Sequence, residues 1–140
     1  MMYKVALIIL YDSEKRLLLQ HRSMDAKLLP DYWAFFGGGL KEGETPDEAV
    51  RREAFEEINY KVKAPQLILE QDFREGDVIG RLYIYIEAFD KDKSELRLYE
   101  GQDWGWFKDS ELNSLKMVDR DRQIVRLIMR HLEHKVAISR

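Results

Sequence analysis

Gly37-Gly38-Gly39-Leu40-Lys41-Glu42-Gly43-Glu44-Thr45-Pro46-Asp47-Glu48-Ala49-Val50-Arg51-Arg52-Glu53-Ala54-Phe55-Glu56-Glu57-Ile58-Asn59-Tyr60 is the segment from which the rest of the chain can be read. Its spacing predicts a helix over 47–58. Thr45 suits an N-cap, Pro46 suits the first helical position, and Asp47 and Glu48 sit where the helix dipole favours negative charge. On a wheel of about 100° per residue with Val50 at zero, Val50, Ala54, Ile58 and Phe55 span roughly 0° to 140° and form the expected core face. Glu56, Glu53 and Glu57 fall at roughly 240°, 300° and 340°, away from that face. Like charges at these i,i+3 and i,i+4 spacings repel by a few tenths of a kcal/mol in water, and by more in an enclosed site. As bare composition this is a solvated acidic face. As chemistry it is a hard-cation site, because Mg²⁺ takes oxygen ligands and shares its shell with water and substrate phosphates. The glycines ahead of the helix let backbone approach a metal or phosphate closely. Arg52 can pair with Glu56, Glu48 or Glu44 and hold the cluster together.

Upstream of the segment, residues 3–12 and 16–22 read as strands joined in a hairpin through Asp12-Ser13-Glu14-Lys15. Residues 23–31 read as a loop, followed by the aromatic run Trp33-Ala34-Phe35-Phe36. Downstream, strands are expected at 60–72 and 79–89, the second alternating Leu82, Ile84 and Ile86 against Tyr83, Tyr85 and Glu87. Short strands follow near 95–99 and 104–107. A last helix at about 120–133 places Ile124, Leu127, Ile128 and Leu132 on one stripe. Mixed strands with a central and a final helix predict an α/β fold, a sheet sandwiched between helices. No repeat, low-complexity tract or linker divides the chain, so residues 1–140 are expected to form a single domain.

The composition excludes several classes. A chain of 140 residues with 45% hydrophobic and 35% charged residues has a globular balance. A net charge of −3 argues against a surface for long nucleic acid. The absence of cysteine excludes disulfide scaffolds, thiolate zinc sites and cysteine nucleophiles. The early apolar run Val5–Leu10 has the length of a strand, whereas crossing a bilayer takes about 20 residues. No signal-peptide pattern follows it, and a cytoplasmic location without membrane attachment is the expectation.

The spacing Gly38-x5-Glu44-x7-Arg52-Glu53-Ala54-x-Glu56-Glu57-x-Asn59-Tyr60 resembles the Nudix box of the Nudix hydrolases, Gly-x5-Glu-x7-Arg-Glu-U-x-Glu-Glu-x-Gly-U, where U is a bulky aliphatic residue. The leading glycine and every charged position match. Asn59 replaces the family glycine, and asparagine is the next best residue for a left-handed helix end. Ala54 and Tyr60 depart from the aliphatic class but suit a core. Phe36 stands where many members have proline, as in some MutT-like nucleotide sanitisers. Glu100-Gly101-Gln102 resembles the Glu-Gly-Gln of the bacterial MutT enzyme, and Arg22 occupies the place of a phosphate-contacting arginine.

The resemblance implies an α/β/α sandwich with a mixed sheet and a pyrophosphohydrolase acting on a nucleoside diphosphate linked to another moiety. It implies one to three Mg²⁺ or Mn²⁺ ions held by the Gly38 carbonyl, Glu53, Glu56, Glu57 and Glu100. The same glutamates form the catalytic set, with Glu53 and Glu100 both open as the general base. Glu44 and Arg52 orient the cluster, Arg22 contacts substrate phosphate, and Phe35 is a candidate for stacking on the base. The expected partner is a small nucleotide, first a nucleoside triphosphate such as an oxidised purine, yielding monophosphate and pyrophosphate. ADP-ribose or a nucleotide sugar ranks second and a dinucleoside polyphosphate third. A non-catalytic nucleotide-binding module is the reading of another class. A monomer or homodimer is expected; nucleotide-sugar members often dimerise by exchanging N-terminal strands, and the first core strand here leaves little to exchange, which ranks that substrate lower. The three histidines, His21, His131 and His134, read as structural or solvated.

Overall fold

Strand β1 (Tyr3–Tyr11) is the axis of the molecule, of which the computed structural model describes residues 2–138. Its alternating side chains feed two cores. Ala6, Ile8 and Leu10 point to one, and Ile9, with Val5 and Leu7 at its margin, points to the other. Strand β6 (Val78–Ala88) runs parallel to β1 in register from Tyr3↔Gly80 to Tyr11↔Ala88, and splits the same way. Leu82, Ile84 and Ile86 join the second core, and Tyr85 joins the first. Strand β5 (Gln66–Glu75) pairs antiparallel with β6 at the edge of the sheet.

The hairpin predicted at the start is present, but its strands soon diverge. β1 meets β2 (Leu17–His21) at Tyr11↔Leu17, and the rest of that β1 edge, Val5 to Ile8, pairs with β4 (Phe36–Gly39). β2 pairs instead with β7 (Asp103–Phe107) and with β3 (Trp33–Ala34). The result is a mixed seven-stranded sheet. Helix α1 (Pro46–Ile58) covers the first core through Ala49, Val50, Ala54 and Ile58. Helix α3 (Asp119–Ile138) covers the second through Ile124, Val125, Ile128, Met129 and Leu132. This is the expected α/β/α sandwich. A one-turn helix α2 (Asp109–Leu112) leads into α3.

Several local expectations need correction. The strand expected from residue 60 begins at Gln66, because Asn59 turns the chain at φ 56° and the buried Glu87 carboxylate accepts the N–H groups of Lys63 and Ala64 that a ladder would have used. No strand forms over 95–99. A 3₁₀ turn at Lys93–Glu95 precedes a segment whose N–H groups at Arg97 and Tyr99 donate to the Ile58 and Glu57 carbonyls. Those carbonyls at the end of α1 have no partner within the helix. Short strands β3 and β4 replace the aromatic and glycine run, β3 pairing with β2 and β4 with β1. Phe55, placed on the core face at the rim of the wheel, is 59% exposed, and Leu127 on α3 is exposed too. Glu57, read as pointing away from the core, is only 3% exposed.

Candidate active site

α1 begins with a complete capping box. Thr45 Oγ1 accepts the Glu48 N–H, and Glu48 Oε1 accepts the Thr45 N–H. The helix ends at Asn59 in the left-handed conformation, with its N–H on the Ala54 and Phe55 carbonyls. Between these ends the contact residues Ala49 and Ala54 are small, so the helix lies close to β4. Gly37 of β4 packs instead against β1, beside Ala6 and Leu7. A Cβ there would fall 2.2 Å from the Ala6 carbonyl oxygen, and its φ of +130° suits glycine alone.

The carboxylates meet at this contact. Glu57 Oε1 accepts the Gly37 N–H at 2.8 Å. Glu53 lies against Gly38, where a Cβ would be 2.8 Å from Glu53 Oε1. Arg52 grips the group from outside. Its Nε and Nη2 donate to the two oxygens of Glu44 at 2.7 and 2.9 Å, and its Nη1 donates to Glu53 at 3.0 Å and Glu56 at 3.3 Å. Nη2 also reaches the Gly39 carbonyl, and the Lys41 N–H adds to Glu44. Arg52 and then Lys41 hold the Glu44 carboxyl down at about 2, and Glu44 in turn raises the Arg52 pKa. Glu48, one of the partners considered for Arg52, is committed to the cap.

Glu100 arrives from a distant part of the sequence. The Tyr99 N–H bonds the Glu57 carbonyl, and the Gln102 N–H and side chain bond the His21 and Arg22 carbonyls. Glu100 is thereby strapped between the end of α1 and the end of β2, within hydrogen-bonding reach of the Glu57 carboxyl. Burial pushes the Glu57 carboxyl up to about 10, with the Glu100 hydrogen bond and the charges of Glu100 and Glu53 adding to the rise. Burial also raises Glu53, and Arg52 opposes it. Glu57 therefore holds a proton where a free carboxyl would not, and a cation would do the same work by neutralising the cluster.

Among the described residues no three carboxylate or imidazole groups already form a metal-ligating cluster, and Arg52 engages Glu53 and Glu56. The donor set nevertheless fits a hard divalent ion. It is all oxygen, it is crowded enough to retain a proton, and it lies against backbone that carries no side chain.

Arg22 and Glu100 line a cavity of about 300 Å³ with Gln20, Lys27 and Gly101. Arg22 Nε donates to the Leu28 carbonyl and shapes the loop above it. Phe35 is placed differently from its expected stacking role. It is 3% exposed and packs in the core beneath α3, because successive residues of the β3–β4 run face opposite sides of the sheet. Phe36 is buried in the other core under α1. The residues that sequence reasoning missed are Gly37, whose backbone N–H holds Glu57, and Gln20 and Lys27 in the cavity. Only Gln20 left a signal, as an amide in the apolar run Leu17-Leu18-Leu19-Gln20.

Comparison with known proteins gives a consistent picture. The NUDIX domain family model matches residues 2–128. The nucleoside triphosphatase NudI of Enterobacter sp. (strain 638) is 27% identical over 115 residues, covering 75% of this chain and 82% of that protein. NudI of Escherichia coli O139:H28 is 26% identical over 120 residues, covering 79% of this chain and 85% of that protein. The crystal structure of a MutT protein from Methanosarcina mazei Go1 superposes with a TM-score of 0.79 at 19% identity, covering 92% of this chain and 94% of that one. The NUDIX domain of Shewanella oneidensis NrtR, solved with ADP ribose, gives 0.79 at 13% identity over 94% and 89% of the two chains.

Proposed function

The chain belongs to the Nudix family and is a pyrophosphohydrolase of nucleoside diphosphate-linked compounds, and within that class we propose that its substrate is a nucleoside triphosphate, split to monophosphate and pyrophosphate. The observation that carries this reading is the convergence of Glu53, Glu57 and Glu100 around Gly37 and Gly38, with the cationic cavity of Arg22 and Lys27 opening beside Glu100. The triphosphatase activity in the name of the NudI relatives supports the triphosphate.

Nudix hydrolases use a divalent metal; Glu53, Glu56, Glu57, Glu100 and the Gly38 carbonyl would hold Mg²⁺, with Mn²⁺ as the alternative, and the ion would supply positive charge for the phosphoryl oxygens and acidify the attacking water. Arg22 and Lys27 take phosphate oxygens of the substrate. Glu53 or Glu100 accepts the proton of the water as its oxygen bonds phosphorus and the bridging P–O bond breaks, releasing pyrophosphate. Arg52, locked on Glu44, holds Glu53 and Glu56 in place. Positioning and charge neutralisation supply most of the catalysis in such transfers. The preference for an oxidised purine rests on the resemblance at Phe36, which is itself a core residue under α1, and at Glu100-Gly101-Gln102.

The test is a substrate panel with Mg²⁺ and with Mn²⁺: plain and 8-oxo nucleoside triphosphates, ADP-ribose, nucleotide sugars and diadenosine polyphosphates, with products resolved by chromatography. Monophosphate and pyrophosphate from a triphosphate are expected. Cleavage of the sugar or dinucleotide compounds alone would replace the substrate and keep the site. Binding without turnover of any compound would make the protein a nucleotide-binding module.

A further inference from the structure

Gln20 is an amide that follows the apolar run Leu17-Leu18-Leu19 in β2, and it is 0% exposed. Its Nε2 donates to the Phe35 carbonyl at 3.0 Å. That bond settles the orientation of the amide, because a carbonyl only accepts and the nitrogen must face it. The oxygen therefore faces the other way, toward the Glu100-Gly101 turn. A Cβ on Gly101 would lie 3.0 Å from Gln20 Oε1, and Gly101 has the φ of +86° that favours glycine. Among the described residues Gln20 Oε1 has no hydrogen-bond partner. A buried acceptor without a donor is costly, and native proteins seldom keep one without a use.

The surroundings say what kind of partner is missing. Gln20 and Gly101 line the same cavity as Arg22, Lys27 and Glu100. The two cations match phosphate oxygens, and Glu100 belongs to the carboxylate cluster. Ionised phosphate oxygens are acceptors and cannot satisfy a second acceptor. A donor supplied by the substrate comes from the part that carries hydroxyl or amine groups.

We propose that Gln20 is a specificity-determining residue, whose Oε1 accepts a hydrogen bond from a sugar hydroxyl or an exocyclic base amine when the nucleotide occupies the Arg22–Glu100 cavity. This rests on the nucleoside triphosphate reading above. Gly101 covers the oxygen in the free protein with backbone alone, so a small movement of its turn opens the path. The same turn carries Glu100, which couples recognition of the nucleoside to the carboxylate cluster.

The experiment compares kcat/KM of the wild type and Gln20→Met on ATP and GTP, on their 2′-deoxy and 3′-deoxy counterparts, and on purine riboside triphosphate and ITP, which lack the exocyclic amine. One of these deletions is expected to lower wild-type kcat/KM by about 10- to 100-fold, as loss of a single buried hydrogen bond does. The same deletion should change Gln20→Met by less than about 2-fold, since the site no longer offers the acceptor. If Gln20→Met slows every nucleotide equally and keeps the wild-type ratios, the amide is structural and the proposal fails. Wild-type rates within about 2-fold across the whole set overturn it without any variant, so a poorly folding Gln20→Met does not shield it. Absence of any triphosphate turnover breaks the triphosphate reading instead. The same nucleotides are then titrated calorimetrically into the wild type, where a donor-dependent affinity supports the proposal and equal affinities refute it.

Discussion

Helices α1 and α3 cover opposite faces of one sheet, and each buries a single carboxyl near apolar side chains: Glu57 on α1 and Asp121 on α3. Burial pushes both upward, Glu57 to about 10 and Asp121 to about 6. The difference lies in their neighbours. Arg120 stands beside Asp121 and opposes the shift, whereas Glu100 and Glu53 stand beside Glu57 and enlarge it. The contact residues differ in the same sense. α3 fills its core with Ile124, Ile128, Met129 and Leu132, and α1 presents the small Ala49 and Ala54 beside Val50 and Ile58 to the other. One helix neutralises its buried charge internally and serves packing. The other crowds its buried carboxyl with Glu53 and Glu100, the group proposed above to hold a cation.

The sharpest way to break this comparison is Glu57→Gln. It should lower Mg²⁺-dependent turnover by about 10³-fold or more, roughly 4 kcal/mol of barrier, while thermal unfolding stays close to wild type. Near-wild-type turnover would show that the buried carboxyl on α1 is as structural as the one on α3.

The counterpart on α3 is Ile128→Ala. Ile128 is fully buried, and its truncation should cost about 2–5 kcal/mol in denaturant unfolding with little loss of kcat per folded molecule. A selective fall in kcat would give α3 a part in the chemistry.

A smaller effect follows from protonation. The folded protein keeps the Glu57 proton up to about pH 10, whereas an unfolded carboxyl releases it near the ordinary value of 4.5. The stabilisation present below that ordinary value is therefore lost as pH rises through this window in metal-free protein. Metal displaces the same proton, so added Mg²⁺ should raise the melting temperature by several degrees, and by more at about pH 8.5 than at about pH 6. Glu57→Gln should flatten that difference, and an equal rise at both pH values in the wild type would detach the metal from Glu57.

Much of this contrast was legible along the chain. The α1 cap at Thr45, the left-handed end at Asn59 and the spacing of the glutamates are local, because helix ends and periodicity depend on neighbours a few residues apart. The alternation in β6 was legible for the same reason. Phe55 and Glu57 were misplaced because both sit at the rims of the wheel. There, 140° and 340° each border the core, and only the docking angle of the helix chooses which is covered. The strand expected at 95–99 failed because open carbonyls at the end of α1 competed for its N–H groups. Phe35 looked like a base platform because a run of aromatics has no direction until strand pairing assigns each residue a face.

By itself the sequence determined the helix that carries the glutamates, the absence of thiol chemistry and the resemblance to a hydrolase family, all through residue types at short spacing. Only the tertiary structure decided that Gly37 would hold Glu57, that Arg52 would clamp Glu44 as well as Glu53 and Glu56, that Glu100 would be strapped beside α1, and that Gln20 would face a cavity with an empty acceptor. These contacts join elements of different strands and helices, and the energy that places them comes from closing the sheet and its two cores, which no short window of sequence contains.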